Sequence, residues 1–217
     1  MTEALAGEGS TRGWAVIVPV KPAARGKSRL EVTGAPRDAV VRAIALDTIA
    51  AAVACSEVAQ VYVVTDDAAL PLHAVDIAGL RFVPEGDARG LDEAIAQGMK
   101  AAEADTSGEP GPRAALLGDL PALRPTDLAT ALRAASGVDR ALVADADGTG
   151  STLVTARAGV EWTSAFGVGS FARHVALGCV PLDLAAETTL RRDVDTADDL
   201  AAAAELGLGP RTAALIH

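Results

Sequence analysis

The chain has 217 residues, half of them hydrophobic, and a formal charge of −10 with a pI near 4.7. That length suffices for one α/β domain with a sizeable core, and the acidic balance excludes a general nucleic-acid or membrane-surface binder, which needs net positive charge. Two cysteines, Cys55 and Cys179, form neither a disulfide framework nor a metal spacing, which fits a reducing cytoplasm, and no run of apolar residues is long enough to span a bilayer.

Residues 1–12 read as a flexible leader without the apolar core of a signal peptide, and 13–217 as a single domain. Residues 14–30 read WAVIVPVKPAARGKSRL: a strand over Trp14–Val20 that passes into a turn holding Lys21, Arg25, Lys27, Ser28 and Arg29. A helix follows Pro36 across 37–54, with apolar residues at helical spacing. VYVVTDD (61–67) is a strand ending in acids, 67–75 a short helix, and LRFVPE (80–85) another strand. A Gly-rich loop leads into the helix LDEAIAQGMKAAEA, and TSGEPGP (106–112) is a surface linker. RAALLGDLPAL (113–123) is a strand that runs into a turn, and 125–135 a helix. DRALVADADGTGSTLVTA holds two short strands around a Gly-rich loop. GSFARHVALG (169–178) is a short helix, CVPLDL a strand, and 195–206 the last helix. Strands alternate with helices throughout, which predicts an α/β fold with a mostly parallel central sheet and helices on both faces. Ligands in such sheets sit outside the carboxyl ends of the strands.

Four stretches could carry chemistry near that edge. The basic turn lacks both G-x-G-x-x-G and G-x-x-x-x-G-K-[ST], so neither usual phosphate loop is present. Its lysines and arginines suit a polyphosphate, and a solvated basic turn fits the spacing equally well. Asp119 of GDLP ends an apolar run, where a carboxylate can hold a divalent metal or cap a turn. Asp193 and Asp195 alternate across Val194, so an extended chain turns both to one face, where a cation would relieve their repulsion. Asp195 also reads as the N-cap of the helix at 196–206. Finally, 145–156 and 166–171 pair glycines with small hydroxyl residues, and Ser170 sits where a helix N-terminus could meet an anion. His73, His174 and His217 make no catalytic set, and His174 reads as a helix-surface residue. A phosphate nucleophile would need no base, since its second pKa is about 6.

These segments, with LDEAIAQG, LLGDLPAL, the Gly-Thr-Gly loop, FGVGSFARH and LRRDVDTADDL in that order, resemble the 2-phospho-L-lactate or phosphoenolpyruvate guanylyltransferases of coenzyme F(420) biosynthesis. The resemblance runs from about Trp14 to Leu206. It implies a single-domain, Rossmann-like nucleotidyltransferase fold, cytoplasmic location and a Mg²⁺-dependent reaction. The phosphate of phosphoenolpyruvate, or of 2-phospho-L-lactate, would attack the α-phosphorus of GTP and release pyrophosphate. It further implies Asp119, Asp193 and Asp195 as metal ligands, and Ser151 or Thr152, Gly167 and Ser170 as contacts to the acid. Lys21, Lys27, Ser28 and Arg29 would cradle the triphosphate, with Lys27 among the catalytic groups, and Gly90 would line the guanine side. Gly26, Ser151 and Val168 depart from the commoner residues of the family, and none of the three removes a charge. The Ala-rich composition resembles bacterial members, which favours phosphoenolpyruvate. Three alternatives stay open: a molybdopterin acceptor, a sugar phosphate acceptor, or a non-catalytic nucleotide-binding module. Neither nucleic acid nor membrane is an expected partner, and a homodimer is left open.

Overall fold

The computed structural model describes residues 13–23, 29–30, 32, 34–105 and 111–216. Seven strands form one sheet in the order β3-β2-β1-β4-β6-β5-β7. They are β1 (Trp14–Pro19), β2 (Val58–Val64), β3 (Leu80–Val83), β4 (Arg113–Leu116), β5 (Arg140–Ala144), β6 (Ser151–Ala156) and β7 (Val180–Pro181). Helices α1 (Arg37–Val53), α2 (Leu70–His73), α3 (Leu91–Ala104), α4 (Pro125–Ala135), α5 (Ser170–Ala176), α6 (Ala197–Leu206) and α7 (Pro210–Ala213) connect or flank them.

The period-two alternation of a strand decides which helix each residue meets. In β1, Val16 and Val18 share a core with Ala45, Leu46 and Ile49 of α1 and with Leu128 and Leu132 of α4. Ile17, between them, faces Ala94, Ile95 and Met99 of α3 in a second core. Both faces of the sheet are therefore covered, and β1 at its centre can be apolar without interruption. Gly98 of α3 makes that second interface close. A Cβ there would stand 2.5 Å from Cγ2 of Ile17 and 2.8 Å from Cγ2 of Val64. A third core joins α1 to α6, with Val40, Ile44, Leu200 and Ala203 around Val194.

Strands β1, β2, β3, β4, β5 and β7 run parallel, whereas β6 pairs antiparallel with both β4 and β5. The short Asp145–Gly150 connection makes β5 and β6 a hairpin, which has to be antiparallel. The start of β6 consequently lies at the same edge as the carboxyl ends of its neighbours. Other departures from the sequence reading are local. CVPLDL contributes only the two-residue β7, and the helix expected over 67–75 is the single turn α2.

Candidate functional site

The carboxyl edge of the sheet collects the loops after β1, β3, β4 and β5 together with the start of β6. One hollow of about 400 Å³ is lined by Lys21, Leu91, Gly118, Asp119 and Asp195, among others. A second, of about 270 Å³, is lined by Lys21, Pro22, Glu85, Gly90 and Leu91. They share Pro19, Lys21 and Leu91 and so adjoin. Lys21 stands between Gly90 on one side and Asp119 and Asp195 on the other. Lys27 and Ser28 lie outside the described residues. Arg29 is described, and its guanidinium is 3.7 Å from the Asp195 carboxylate in an exposed pair. The basic turn and the acidic segment, distant in sequence, therefore meet.

The acids are brought together by backbone as much as by side chains. The amide of Val194 donates to the carbonyl of Asp119 at 3.1 Å, which brings the segment of Asp193 and Asp195 against the turn after β4. Val194 itself is fully buried in the third core and anchors the segment. Thr196, rather than Asp195, is the N-cap of α6, in a reciprocal capping box with Asp199. The physical reason is reach: Thr196 adjoins the first helical residue, so its hydroxyl meets the Asp199 amide at 3.2 Å. Asp195 is thereby released from capping. The carboxyl of Asp193 is pushed up to about 7, first by burial and then by the charges of Asp119, Asp145 and Asp195. Among the described residues no three acidic, histidine or cysteine side chains stand in ready ligand geometry. The acids share a field, not yet a coordination sphere.

The Gly-hydroxyl loops lie near the acids, close enough for the charge of Asp145 to act on Asp193. The β5–β6 ladder shifts register between Val143 and Ala144, a bulge that leaves Ser151 and Thr152 together opposite Ala144. Ser151 Oγ lies 3.0 Å from Nδ1 of His174, whereas the Thr152 hydroxyl donates to the carbonyl of Leu190 at 2.5 Å. Both side chains are buried. Thr152 ties β6 to the chain that leads into Asp193. Asp145 accepts from the amides of Thr149 at 2.9 Å and Gly150 at 2.7 Å, closing the Gly-Thr-Gly loop around its carboxylate. A Cβ on Gly150 would come within 2.3 Å of that carboxylate, so the loop requires glycine there. Ser170 does open a helix, but the first amides of α5 are already engaged. Ser170 donates to Gly167 and Phe171 to Thr149. The free-amide anion site read from the sequence is therefore partly used up by the fold. Gly167 lies in the loop before α5, beside the Arg173 guanidinium.

Asp92 and Asp145, which the sequence reading does not single out, and His174, which it places on a helix surface, organise these loops. Asp92, in the first turn of α3, accepts from the Phe166 amide at 3.0 Å and the Ser164 hydroxyl at 2.7 Å. Asp145 carries a sequence signal, an acid four and five residues before the amides it binds, within a Gly-rich turn. His174 is not on a helix surface but wholly enclosed. The helix spacing alone does not show that the loop 157–169 folds over it. Burial lowers its pKa and the nearby Arg173 lowers it further, against an opposing pull from Asp92.

Comparison with known proteins decides the family. The model of the guanylyl transferase CofC-like family matches residues 14–204. The chain belongs to the CofC-like guanylyl transferases. Relatives of this CofC-like chain include a phosphoenolpyruvate guanylyltransferase of Thermomonospora curvata, 49% identical over 208 residues, covering 93% of this chain and 88% of that one. A phosphoenolpyruvate guanylyltransferase of Streptomyces scabiei is also 49% identical, over 93% of this chain and 94% of its own. Among solved structures, a 4-diphosphocytidyl-2C-methyl-D-erythritol synthase aligns with a TM-score of 0.62 at 13% identity, over 90% of this chain and 99% of that one. The synthase of the same name from Anaerococcus prevotii gives 0.57 at 15%, over 89% and 97%. At such identities the structural likeness speaks for the fold: the CofC-like chain has the Rossmann-like α/β architecture of nucleotidyltransferases. Among the described residues no helix is long and apolar enough to cross a membrane.

Proposed function

We propose that this chain transfers GMP from GTP to the phosphate of phosphoenolpyruvate, with 2-phospho-L-lactate as the other candidate acceptor, in cytoplasmic coenzyme F(420) biosynthesis. The observation that carries this reading is the continuous cleft in which Lys21 separates Gly90 from Asp119 and Asp195. The names of the relatives at 49% identity favour phosphoenolpyruvate.

The reaction joins an acceptor phosphate oxygen to the α-phosphorus of GTP and breaks the bond from that phosphorus to the β-phosphate, releasing pyrophosphate. The acceptor is already ionised near pH 7, so no side chain need take a proton; alignment and neutralisation suffice. Lys21 and Arg29, with Lys27 and Ser28 on the same turn, would bind the triphosphate and then the departing pyrophosphate. Gly90 would line the base, and the wall of Ser151, Thr152, Gly167 and Ser170 would hold the acid. Thr152 takes part through its backbone position and its bond to Leu190, since its hydroxyl is engaged.

A donor set of carboxylate oxygens fits a hard divalent cation such as Mg²⁺. Asp119, Asp193 and Asp195 would hold it, and its charge would offset the mutual repulsion that otherwise pushes Asp193 toward its protonated form. Bound there, the cation would neutralise charge on the attacking and leaving phosphates.

The test is pyrophosphate release by the purified protein with Mg²⁺, GTP and either acid, with ATP, a molybdopterin and a sugar 1-phosphate as comparison arms. Release with phosphoenolpyruvate and GTP above all other pairs supports the reading. No release with either acid rejects it, and faster turnover of a sugar phosphate or pterin replaces it.

A further inference from the structure

His174 sits on α5 with its two ring nitrogens turned to different segments. Nε2 accepts the backbone N–H of Ala165 at 2.9 Å. A backbone amide can only donate, so Nε2 carries its lone pair and the ring proton is on Nδ1. Nδ1–H then donates to Ser151 Oγ at 3.0 Å. Phe166 packs edge-on against the ring, with centroids 4.8 Å apart at 72°, and fixes its plane. The Ser151 hydroxyl, receiving a hydrogen bond on its oxygen, keeps its own proton to give.

The loop above the ring is held with unusual completeness. The Ala165 amide goes to His174 and the Phe166 amide to Asp92. The Ala165 carbonyl accepts from Arg173 Nε at 3.1 Å and the Phe166 carbonyl from Arg173 Nη2 at 2.9 Å. All four backbone polar groups of two consecutive residues are thus satisfied by side chains, where a loop would ordinarily leave some to water. Such a loop is preorganised, and Gly167 follows it directly.

We infer that His174 is a positioning residue for the acceptor acid: as the Nδ1–H tautomer it locks the start of β6 to the 164–169 loop and presents the Ser151 hydroxyl as a donor to an anionic oxygen of that acid. The inference rests on the guanylyltransferase reading and assigns a role to a residue outside the reacting groups. His174 does not act as a base, because both its nitrogens are spent on the protein. Its burial, which disfavours the charged ring, acts in the same direction.

Two measurements test it. In wild-type protein with nitrogen-labelled histidine, the imidazole nitrogen shifts at pH 7 should report the neutral Nδ1–H form, and adding phosphoenolpyruvate should move the Nδ1 resonance. An Nε2–H tautomer or a charged ring overturns the inference. In kinetics, His174→Phe keeps the ring and the Phe166 contact but loses both hydrogen bonds. It should raise KM for phosphoenolpyruvate roughly tenfold and leave KM for GTP within about twofold. His174→Asn, which offers a donor near Nδ1, should recover part of that loss. Equal rises in both KM values, or an unchanged KM for the acid, reduce His174 to a packing residue. Should His174→Phe fail to fold, the Asn variant and the wild-type nitrogen shifts still decide. Wild-type protein that releases no pyrophosphate with either acid rejects the functional reading and this inference with it. Wild-type turnover with an unaltered His174→Phe KM rejects the inference alone.

Discussion

Replacing Gly98 by alanine sets two effects of known size against each other. In a helix interior alanine is better than glycine by about 1 kcal/mol, so propensity alone predicts a more stable protein. The structure predicts the reverse. The added methyl would sit 2.5 Å and 2.8 Å from methyl groups of Ile17 and Val64, well inside contact distance. Both neighbours are β-branched residues of central strands, with one comfortable rotamer and no room to turn. Overpacking a filled core costs roughly 1–3 kcal/mol. The net is a destabilisation of about 0–2 kcal/mol, or up to roughly 8 °C in Tm for a chain of this size. Relief can come only by α3 moving away from the sheet. Its first turn carries Leu91 at the cleft and Asp92 under the Phe166 amide, so GTP and acid KM values should rise together. Urea unfolding of the two proteins, with equal m-values, reads the sign. A Gly98→Ala protein more stable than wild type would refute the packing account.

Other perturbations give separable outcomes. Arg29→Ala should change stability by less than about 0.5 kcal/mol, because its pair with Asp195 is exposed, yet raise KM for GTP roughly tenfold. An unchanged KM removes Arg29 from the triphosphate cradle. Asp195→Asn should depress kcat by about 100-fold or more with little loss of stability, since Thr196 does the capping; near-normal turnover in a steady-state assay counts against a metal role. Asp47 is buried and accepts the amides of Arg211 and Thr212, so Asp47→Ala should cost on the order of 3 kcal/mol in urea unfolding, and a loss below 1 kcal/mol would show that the C-terminal turn is dispensable. His174 is held below its ordinary pKa in the fold. On acidification the unfolded chain protonates first, near pH 6.5, so this residue's contribution to stability falls as pH drops below about 6.5 and levels off below the folded pKa. Wild type should lose stability between pH 7 and pH 5 faster than His174→Phe does. Identical slopes would mean the ring is not buried neutral.

The parts of the fold legible in the sequence were those set by local chemistry. The apolar β-branched run of β1, the proline before α1 and the glycine before α3 mark their elements with no tertiary help. Asp119 stands out as an acid ending an apolar run, and Asp193 and Asp195 stand out because they alternate across Val194. Spacing alone does not show their approach, because it rests on tertiary contacts such as the hydrogen bond between residues 75 positions apart, from Val194 to Asp119. Asp195 was misread as a cap because Asp and Thr are both good N-caps and adjacent in sequence. His174 was misread because the seven residues of α5 have too short a period to show which face is covered. Ser151 and Thr152 look alike in sequence, and their different partners, His174 and Leu190, are visible only in the fold.

On the proposed function, the reversed direction of β6 would separate two tasks along one rim. The strands that precede it in the sheet order deliver Lys21, Gly90 and Asp119, and the hairpin it closes with β5 delivers Asp145, the Gly-Thr-Gly turn and Ser151. Doubling the length of a turn costs only about 0.6 kcal/mol in closure entropy. If the acceptor sits there as proposed, the hairpin turn is a place where evolution could enlarge or shrink its berth while the other loops of the rim stay as they are.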